Sequence, residues 1–314
     1  MINFDVIRHD EAVVLASAPL HTHSHFRTGG KAGLLVIPQS ERAVVAIARQ
    51  CIEANIPLYV VGQLSNVLVS DEGLDGVVML LGHAFSKAHV EHSTITAEAG
   101  IWLSRLSAIA ARHYLSGLEF ACGIPGTLGA SILINAGAYD GQFADIVKET
   151  RYLDAKGEIH VCHGDEHRFG YRQSRFIADR SLILTSKMIL GEPEENMYHK
   201  MAVLAKKRRD SQPLSSLSCG SAFKRPEGYF AGKLISDAGL KGYTGNNAGV
   251  SAKHAGFIVN HGDASSADIV DVFNHVQDTV LERFGVLLEP EVRFAGHFDR
   301  IPAHAHTLDP LFGG

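Results

Sequence analysis

Short apolar runs punctuated by glycine alternate with amphipathic segments along most of the chain. After Gly30, "LLVIP" predicts a strand. "SERAVVAIARQCIEAN" predicts a helix, with apolar residues at helical spacing and Ser40 as its N-cap. "PLYVVG" and "VLVS" predict two further strands joined by a tight loop from Gly62 to Asn66, so residues 31–70 read as a βαβ unit. "GVVMLL" and "HVEHSTITAEAG" continue as strands, and "IWLSRLSAIAARHYL" as a helix. "GLEFACGIPGTLGASILINAGAYDG" carries too much glycine for a regular helix or strand. "IVKETRYLDAKGEIHV" predicts a hairpin turning at Ala155-Lys156-Gly157, and "SLILTSKMIL" another strand. A charged helix, "EPEENMYHKMAVLAKKRRDSQP", ends near Pro213 and marks a domain boundary. Beyond it come a short helix ("YFAGKLISDAGL"), a strand ("HAGFIVNHG"), a long helix capped by Ser265 or Ser266, and a strand ("VLLEPEVRFAG"). This is a compact α+β unit. The remainder, "HFDRIPAHAHTLDPLFGG", has no periodicity and reads as a loosely ordered tail.

Several of the glycine-rich breaks carry candidate chemistry. Gly62, Ser65 and Asn66 after a strand read either as a phosphate nest or as an ordinary turn. No G-x-G-x-x-G follows a strand there. Gly123, Pro125, Gly126 and Gly129 set an irregular backbone with little side-chain bulk, and Asn135 to Tyr139 repeat the device. Such loops either lie flat against a large ligand or are structural Ω-loops. Arg172 in "FGYRQSRF" suits a carboxylate clamp or packing on an aromatic ring. Ser221 in "CGSAF" lacks the G-x-S-x-G frame of a hydrolase nucleophile, and beside Lys224 and Arg225 it reads as a proton donor or an anion contact. Glu289 and Glu291 share one face of "LLEPEVRF" if it is a strand, unless Pro290 bends it. His21, His23 and His25 alternate, so on a strand their imidazoles would share a face, as in a metal site.

Composition narrows these readings. The 314 residues are 46% hydrophobic and 20% charged, which is globular, and suffice for two or three domains. A net charge of −5 gives no electrostatic case for nucleic acid or an anionic membrane. No run approaches the roughly 20 apolar residues of a membrane span, and no leader pattern opens the chain. Cys51, Cys122, Cys162 and Cys219 form no C-x-x-C pair, which fits reduced thiols in a cytoplasmic protein.

Seven segments then fall into a familiar order: "FRTGG", "GQLSNVLVSDEG", "GIPGTLGA" with "NAGAY", "YRQSRF", "GSAFKRPEGYFAGKLI", "SAKHAGFIVN" and "LEPEVRF". Together they resemble the UDP-N-acetylenolpyruvoylglucosamine reductase family over about residues 20–296. "YRQSRF" passes to "SLILTSKMIL" with no room for an inserted subdomain, which resembles the family's shorter type, without its extra substrate loop. The resemblance implies an α+β fold of the vanillyl-alcohol-oxidase (PCMH) type. Two FAD-binding lobes (1–85 and 86–200) precede a C-terminal substrate domain (201–297) and the tail (298–314). It implies FAD as cofactor, NADPH as hydride donor and a UDP-sugar enolpyruvyl ether as substrate, in cytoplasmic peptidoglycan precursor synthesis. By this resemblance Gly62, Gln63, Leu64, Ser65, Asn66, Gly123, Ile124, Pro125, Gly126, Thr127, Gly129, Ala130, Asn135, Gly137 and Ala138 line the flavin site. Arg172, Ser221 and Glu291 are catalytic, and Tyr171, Arg172, Lys224 and Arg225 hold substrate; no metal is implied. Where the family has G-x-G-S-N, this chain has "GQLSN"; a positive φ at Leu64 then strains the backbone. "TGNNAG", standing where a Gly-Gly pair is common, is a milder change because Asn tolerates left-handed geometry. His23 and His25 read as polar neighbours of the cofactor lobe.

Overall fold

The computed structural model describes residues 4–192 and 197–313. The alternating apolar runs become two main sheets. The first has the order β1 (Ala12–Ala16), β2 (Ala32–Pro38), β5 (Leu74–Leu80), β3 (Leu58–Val61). α1 (Glu41–Glu53) starts where the Ser40 hydroxyl accepts the Ala43 amide at 3.2 Å. It links β2 to β3, but β5 lies between them, pairing parallel with both. β4 (Val67–Val69) leaves this sheet altogether and pairs parallel with β15 (Arg293–Ala295), more than two hundred residues on. The expected βαβ crossover is present from β2 through α1 to β3, with β5 inserted between its strands, and the expectation is corrected only at β4. The hydrophobic pattern identifies strands, but strand partners depend on which edges meet in space.

The second sheet is antiparallel throughout, in the order β11 (Ile159–His163), β10 (Val147–Leu153), β12 (Leu182–Ile189), β7 (Thr94–Glu98), β6 (Ala88–Glu91). Its β10–β11 turn is at the expected Ala155–Gly157. α2 (Leu103–Arg112) buries Leu103, Leu106 and Ala110. Val36, Ile47 and Leu58 of the first half and Ile95, Leu106 and Leu184 of the second belong to one continuous core.

Inside the glycine-rich stretch is a short helix, α3 (Leu128–Leu133), followed by a small hairpin of β8 (Gly137–Ala138) and β9 (Gly141–Gln142) and by α4 (Phe143–Ile146). The expectation of an irregular segment is corrected at α3. Gly129 does not break that helix. A Cβ there would lie 2.8 Å from Ala99 Cβ, so glycine lets the helix close on the strand end. α5 (Arg175–Ala178) leads straight into β12, with no inserted subdomain between them.

α6 (Met197–Ser211) leads to the C-terminal unit; the start of the charged helix, 193–196, lies outside the described residues. There α7 (Ala231–Asp237), the hairpin of β13 (Ala248–Val250) and β14 (Ile258–Asn260), and α8 (Ser266–Phe284) enclose a second core. Ser265 and Asp268 form a capping box on α8, and Gly285 closes it at φ 67°. Asn247 takes φ 50°, the left-handed geometry anticipated for "TGNNAG".

Two expectations at the chain's ends change. Leu20–Thr22 form a turn of 3-10 helix, so the three histidines do not line one strand face. Gly29 and Gly30 instead matter by close approach: side chains there would meet Val69 Cβ at 2.8 Å and the Asp71 carbonyl at 2.3 Å. The aperiodic tail is ordered. β16 (His306–Thr307) pairs parallel with β15, and Phe312 is buried in the core of the first half. Its apolar anchors, Leu308, Leu311 and Phe312, follow no helix or strand period, which is why the pattern concealed them.

Candidate active site

The turn that carries Arg172 is two residues long. Gly170 and Gln173 exchange backbone hydrogen bonds at 3.0 and 3.3 Å, leaving Tyr171 and Arg172 at its tip. Arg172 is held at φ 55°, an unfavourable conformation for a side chain of its size. Asn135, itself at φ 45°, braces the turn by donating to the Gly170 carbonyl at 3.1 Å. The Tyr171 hydroxyl accepts the Arg225 amide at 3.2 Å, and the Arg172 guanidinium lies 5.3 Å from the Tyr171 ring centre.

Opposite this turn, two extended segments run side by side. Ala222 donates to the Gly256 carbonyl at 2.8 Å and accepts from the Glu291 amide at 2.9 Å, while the Lys224 amide donates to Glu289 at 2.8 Å. Ser221 is thus exposed on a backbone pinned at the next residue. Pro290 has no amide, so the segment stops short of a regular ladder and only Arg293–Ala295 is strand. Asn66 connects it to the first loop, donating to the Glu291 carbonyl at 3.0 Å and accepting from the Arg293 amide at 3.0 Å.

Arg172 Nε donates to Glu291 Oε1 at 2.5 Å, with side-chain exposures of 22% and 14%. Burial pushes the Glu291 carboxyl above the ordinary glutamate range, and this outweighs the opposing pull of Arg172. Glu289 goes the other way. The hydrogen bonds of Lys224 (2.5 Å) and His306 (2.8 Å), together with their charges, hold its carboxyl below the ordinary range despite the opposing effect of burial, the largest single influence.

Two cavities meet at this pair. The first, about 840 Å³, lies between the two sheets and the C-terminal segment. Its walls include Gly62, Asn66, Thr127, Gly129 and Ala130 with apolar Val60, Leu81, Leu133 and Phe176. That volume is in the upper part of the range of about 300–1,000 Å³ typical of ligand sites. Arg293 also faces it, and among the described residues its guanidinium has no hydrogen-bond partner. The second cavity, about 420 Å³, is lined by Ser221, Arg225, Lys233, Lys241, Lys253 and His254. Tyr171, Arg172 and Glu291 border both. His254 Nδ1 accepts the Gly256 amide at 3.0 Å, and burial holds its pKa below the usual histidine value, with Lys241 adding to the effect. The neutral ring therefore carries its proton on Nε2.

Of the remaining sequence-predicted flavin residues, Gln63, Leu64, Ser65, Gly123, Ile124, Pro125 and Gly126 do not line the large cavity. Ser65 donates to the Pro125 carbonyl at 3.1 Å and so joins the two glycine loops, with Gly126 at φ 137° beside it. Gln63 precedes Leu64, and Ile124 packs at the margin of the main core. A side chain at Gly62 would meet Thr127 Oγ1 at 2.5 Å, and one at Gly123 would meet Arg208 of α6 at 3.0 Å. Gly137 and Ala138 form the small hairpin and, like Asn135, do not line the large cavity. Lys224 lies on the large cavity's side of the Arg172–Glu291 pair, away from Arg225. Sequence reasoning passed over Arg293, Lys233, Lys241, Lys253 and His254, although all but Lys241 stand inside quoted motifs. Isolated basic residues carry no signal until the fold aims them at one space.

Leu64 takes φ 50° and is 3% exposed, packed in a third cluster with Val69 and Ala295. Replacing it by glycine relieves about 1 kcal/mol of left-handed strain but removes a buried leucine side chain, worth about 2–5 kcal/mol. Leu64→Gly is therefore expected to lower stability by about 1–4 kcal/mol in urea unfolding; an increase would show that strain, not packing, dominates the loop.

Comparison with known proteins agrees with this architecture. Residues 32–163 match an FAD binding domain, and residues 212–295 match the C-terminal domain of UDP-N-acetylenolpyruvoylglucosamine reductase. The reductase of Clostridium perfringens is 41% identical over 92% of this chain and 95% of its own. That of Exiguobacterium sibiricum is 43% identical over 90% of this chain and 93% of its own. The chain belongs to the UDP-N-acetylenolpyruvoylglucosamine reductase family. The crystal structure of the Thermus caldophilus reductase superposes with a TM-score of 0.77, at 31% identity, covering 90% of this chain and 98% of that one. The α+β flavoprotein fold anticipated from the motifs is thereby established.

Proposed function

We propose that this chain reduces the enolpyruvyl ether of UDP-N-acetylglucosamine to UDP-N-acetylmuramate, a step of peptidoglycan precursor synthesis, with FAD as resident cofactor and NADPH as hydride donor. The observation that carries the reading is the sharing of Tyr171, Arg172 and Glu291 by two cavities, one of dinucleotide size and one lined by cations. Residues 1–85 and 86–200 together hold the flavin, and residues 201–297 hold the substrate.

The residues present fit FAD. The large cavity offers apolar walls for a ring system, small residues at Gly62, Gly129 and Ala130, and the Arg293 guanidinium for an anion. Bound there, FAD supplies the hydride. Arg225, Lys233, Lys241 and Lys253 suit the substrate's diphosphate in the second cavity, and the His254 Nε2–H adds a neutral donor. Arg172 stabilises the negative charge that develops toward the substrate carboxylate. Glu291, which keeps its proton to higher pH than a solvated glutamate, can donate a hydrogen bond to the same group. Ser221, on its pinned backbone, gives its proton to C2 of the enolpyruvyl group. A hydroxyl is a weak acid, but toward a strongly basic carbon centre position matters more than a matched pKa.

Among the described residues no helix is long and apolar enough to cross a membrane. A cytoplasmic location, with neither nucleic acid nor membrane as partner, is part of the proposal. The purified chain is expected to carry an absorption band near about 450 nm that bleaches with NADPH and returns when the enolpyruvyl substrate is added without oxygen. A chain that stays colourless after incubation with FAD would overturn the reading.

A further inference from the structure

The family's C-terminal domain matches up to residue 295, and the segment after it crosses back over the molecule. It is fastened to three separate bodies. The Leu308 amide donates to the Phe294 carbonyl at 2.8 Å, alongside the β15–β16 pairing. The Leu311 amide donates to Leu58 at 2.6 Å and the Leu58 amide to Phe312 at 2.9 Å, which clips the segment to β3 at the edge of the first sheet. Arg180, between α5 and β12 of the second sheet, donates to the Pro310 carbonyl. Phe312 is 4% exposed, and the backbone at Gly313 presses so closely on Ile56 that a Cβ would lie 2.4 Å from its carbonyl oxygen.

Between those fastenings, Ala305 to Leu311 form a wall of the large cavity. Two of its side chains face groups already described. His306 reaches Glu289 at 2.8 Å and Lys224 at 3.0 Å. The charge of Asp309 acts on Arg293, partly offsetting the burial that pushes that guanidinium's pKa down. The wall thus spans the C-terminal unit and both halves of the flavin-binding region.

Resting on the functional reading above, we propose that residues 298–313 are a strap that completes the dinucleotide cavity and retains FAD. This wall covers one side of the cavity between the two sheets. Phe298, Ile301 and Ala305 pack against the second core, and beyond them the stretch from Leu308 to Phe312 is held by a few backbone hydrogen bonds and three apolar anchors. The strap therefore governs the rate of cofactor loss more than the chemistry beside Arg172.

The test is the release of FAD from the holoprotein, followed by the rise of free-flavin fluorescence after dilution. Removal of residues 298–314 is expected to speed release by about 10-fold or more, since such losses fall mainly on dissociation rates. Phe312→Leu, which trims a buried anchor outside the cavity lining, is expected to speed it by about 3-fold. UDP binding, measured by titration calorimetry on both variants, stays within about twofold of the unaltered chain, because the second cavity has no strap residue in its lining. If the shortened chain is folded by circular dichroism and releases FAD at the unaltered rate, the proposal is overturned. If it does not fold, Phe312→Leu decides: faster release supports the strap, and an unchanged rate overturns it. An unaltered chain that binds no FAD overturns the functional reading itself and is recognised before any variant is made.

Discussion

In Ser221→Ala, flavin reduction by NADPH is expected to proceed within about twofold of the unaltered rate, while the reoxidation driven by the enolpyruvyl substrate slows by about 10²–10⁴-fold, the usual worth of a positioned proton donor. The separation follows from where Ser221 stands. It lines the second cavity and not the first, so removing its hydroxyl leaves the dinucleotide walls untouched. Its neighbour Ala222 is bonded through both backbone groups to Gly256 and Glu291, so the alanine variant keeps the same backbone path. Stopped-flow measurement of the two half-reactions under anaerobic conditions checks this. Equal slowing in both halves would place the serine in structure rather than in proton delivery.

Arg172→Ala is expected to damage both catalysis and folding. Glu291 is left 14% exposed with no guanidinium beside it, and breaking a buried ion pair costs about 3–5 kcal/mol. Because the arginine retains 22% exposure and the carboxyl can take up a proton, the loss in urea unfolding should lie near or below the lower end of that range, at about 2–3 kcal/mol. The substrate half-reaction should slow by at least about 10²–10³-fold through loss of charge stabilisation. Unfolding and substrate-driven reoxidation measured on one preparation check both parts, and unaltered reoxidation would remove Arg172 from the chemistry.

The partner residue adds a pH signature. Burial raises the Glu291 pKa in the folded chain, so between the ordinary glutamate value and the raised one the folded state binds more protons than the unfolded. The stability linked to this proton is present in full below the ordinary value and is lost as pH rises through the raised one. Glu291→Gln, which cannot titrate, should abolish that part of the pH slope in urea unfolding measured from pH 4 upward, about where glutamate titrates. A slope unchanged by the substitution would mean that other groups set it.

How much of this was legible beforehand depended on whether a residue acts through local geometry. Ser40, the hairpin at Ala155–Gly157 and the Ser265 cap were readable because each needs only its near neighbours in sequence. Leu64 was readable too: replacing glycine in a tight loop implies left-handed strain whatever the rest of the chain does, and its φ is 50°. Gly129 misled for the opposite reason. Its absent side chain answers to Ala99, thirty residues away, and not to the helix it sits in.

Motif order along the chain was enough to assign the family and the flavin fold, and to single out Arg172, Ser221 and Glu291 as candidates, because motifs are residue types at set spacings. Long-range closure produced everything else. β4 pairs with β15, Asn66 ties the first loop to Glu291, and the aperiodic segment after residue 297 becomes a wall of the large cavity. None of these has a local signature, since a strand edge, an amide or three scattered apolar residues acquire a partner only when distant segments pack together. The meeting of two cavities at one buried arginine–glutamate pair is the product of that closure.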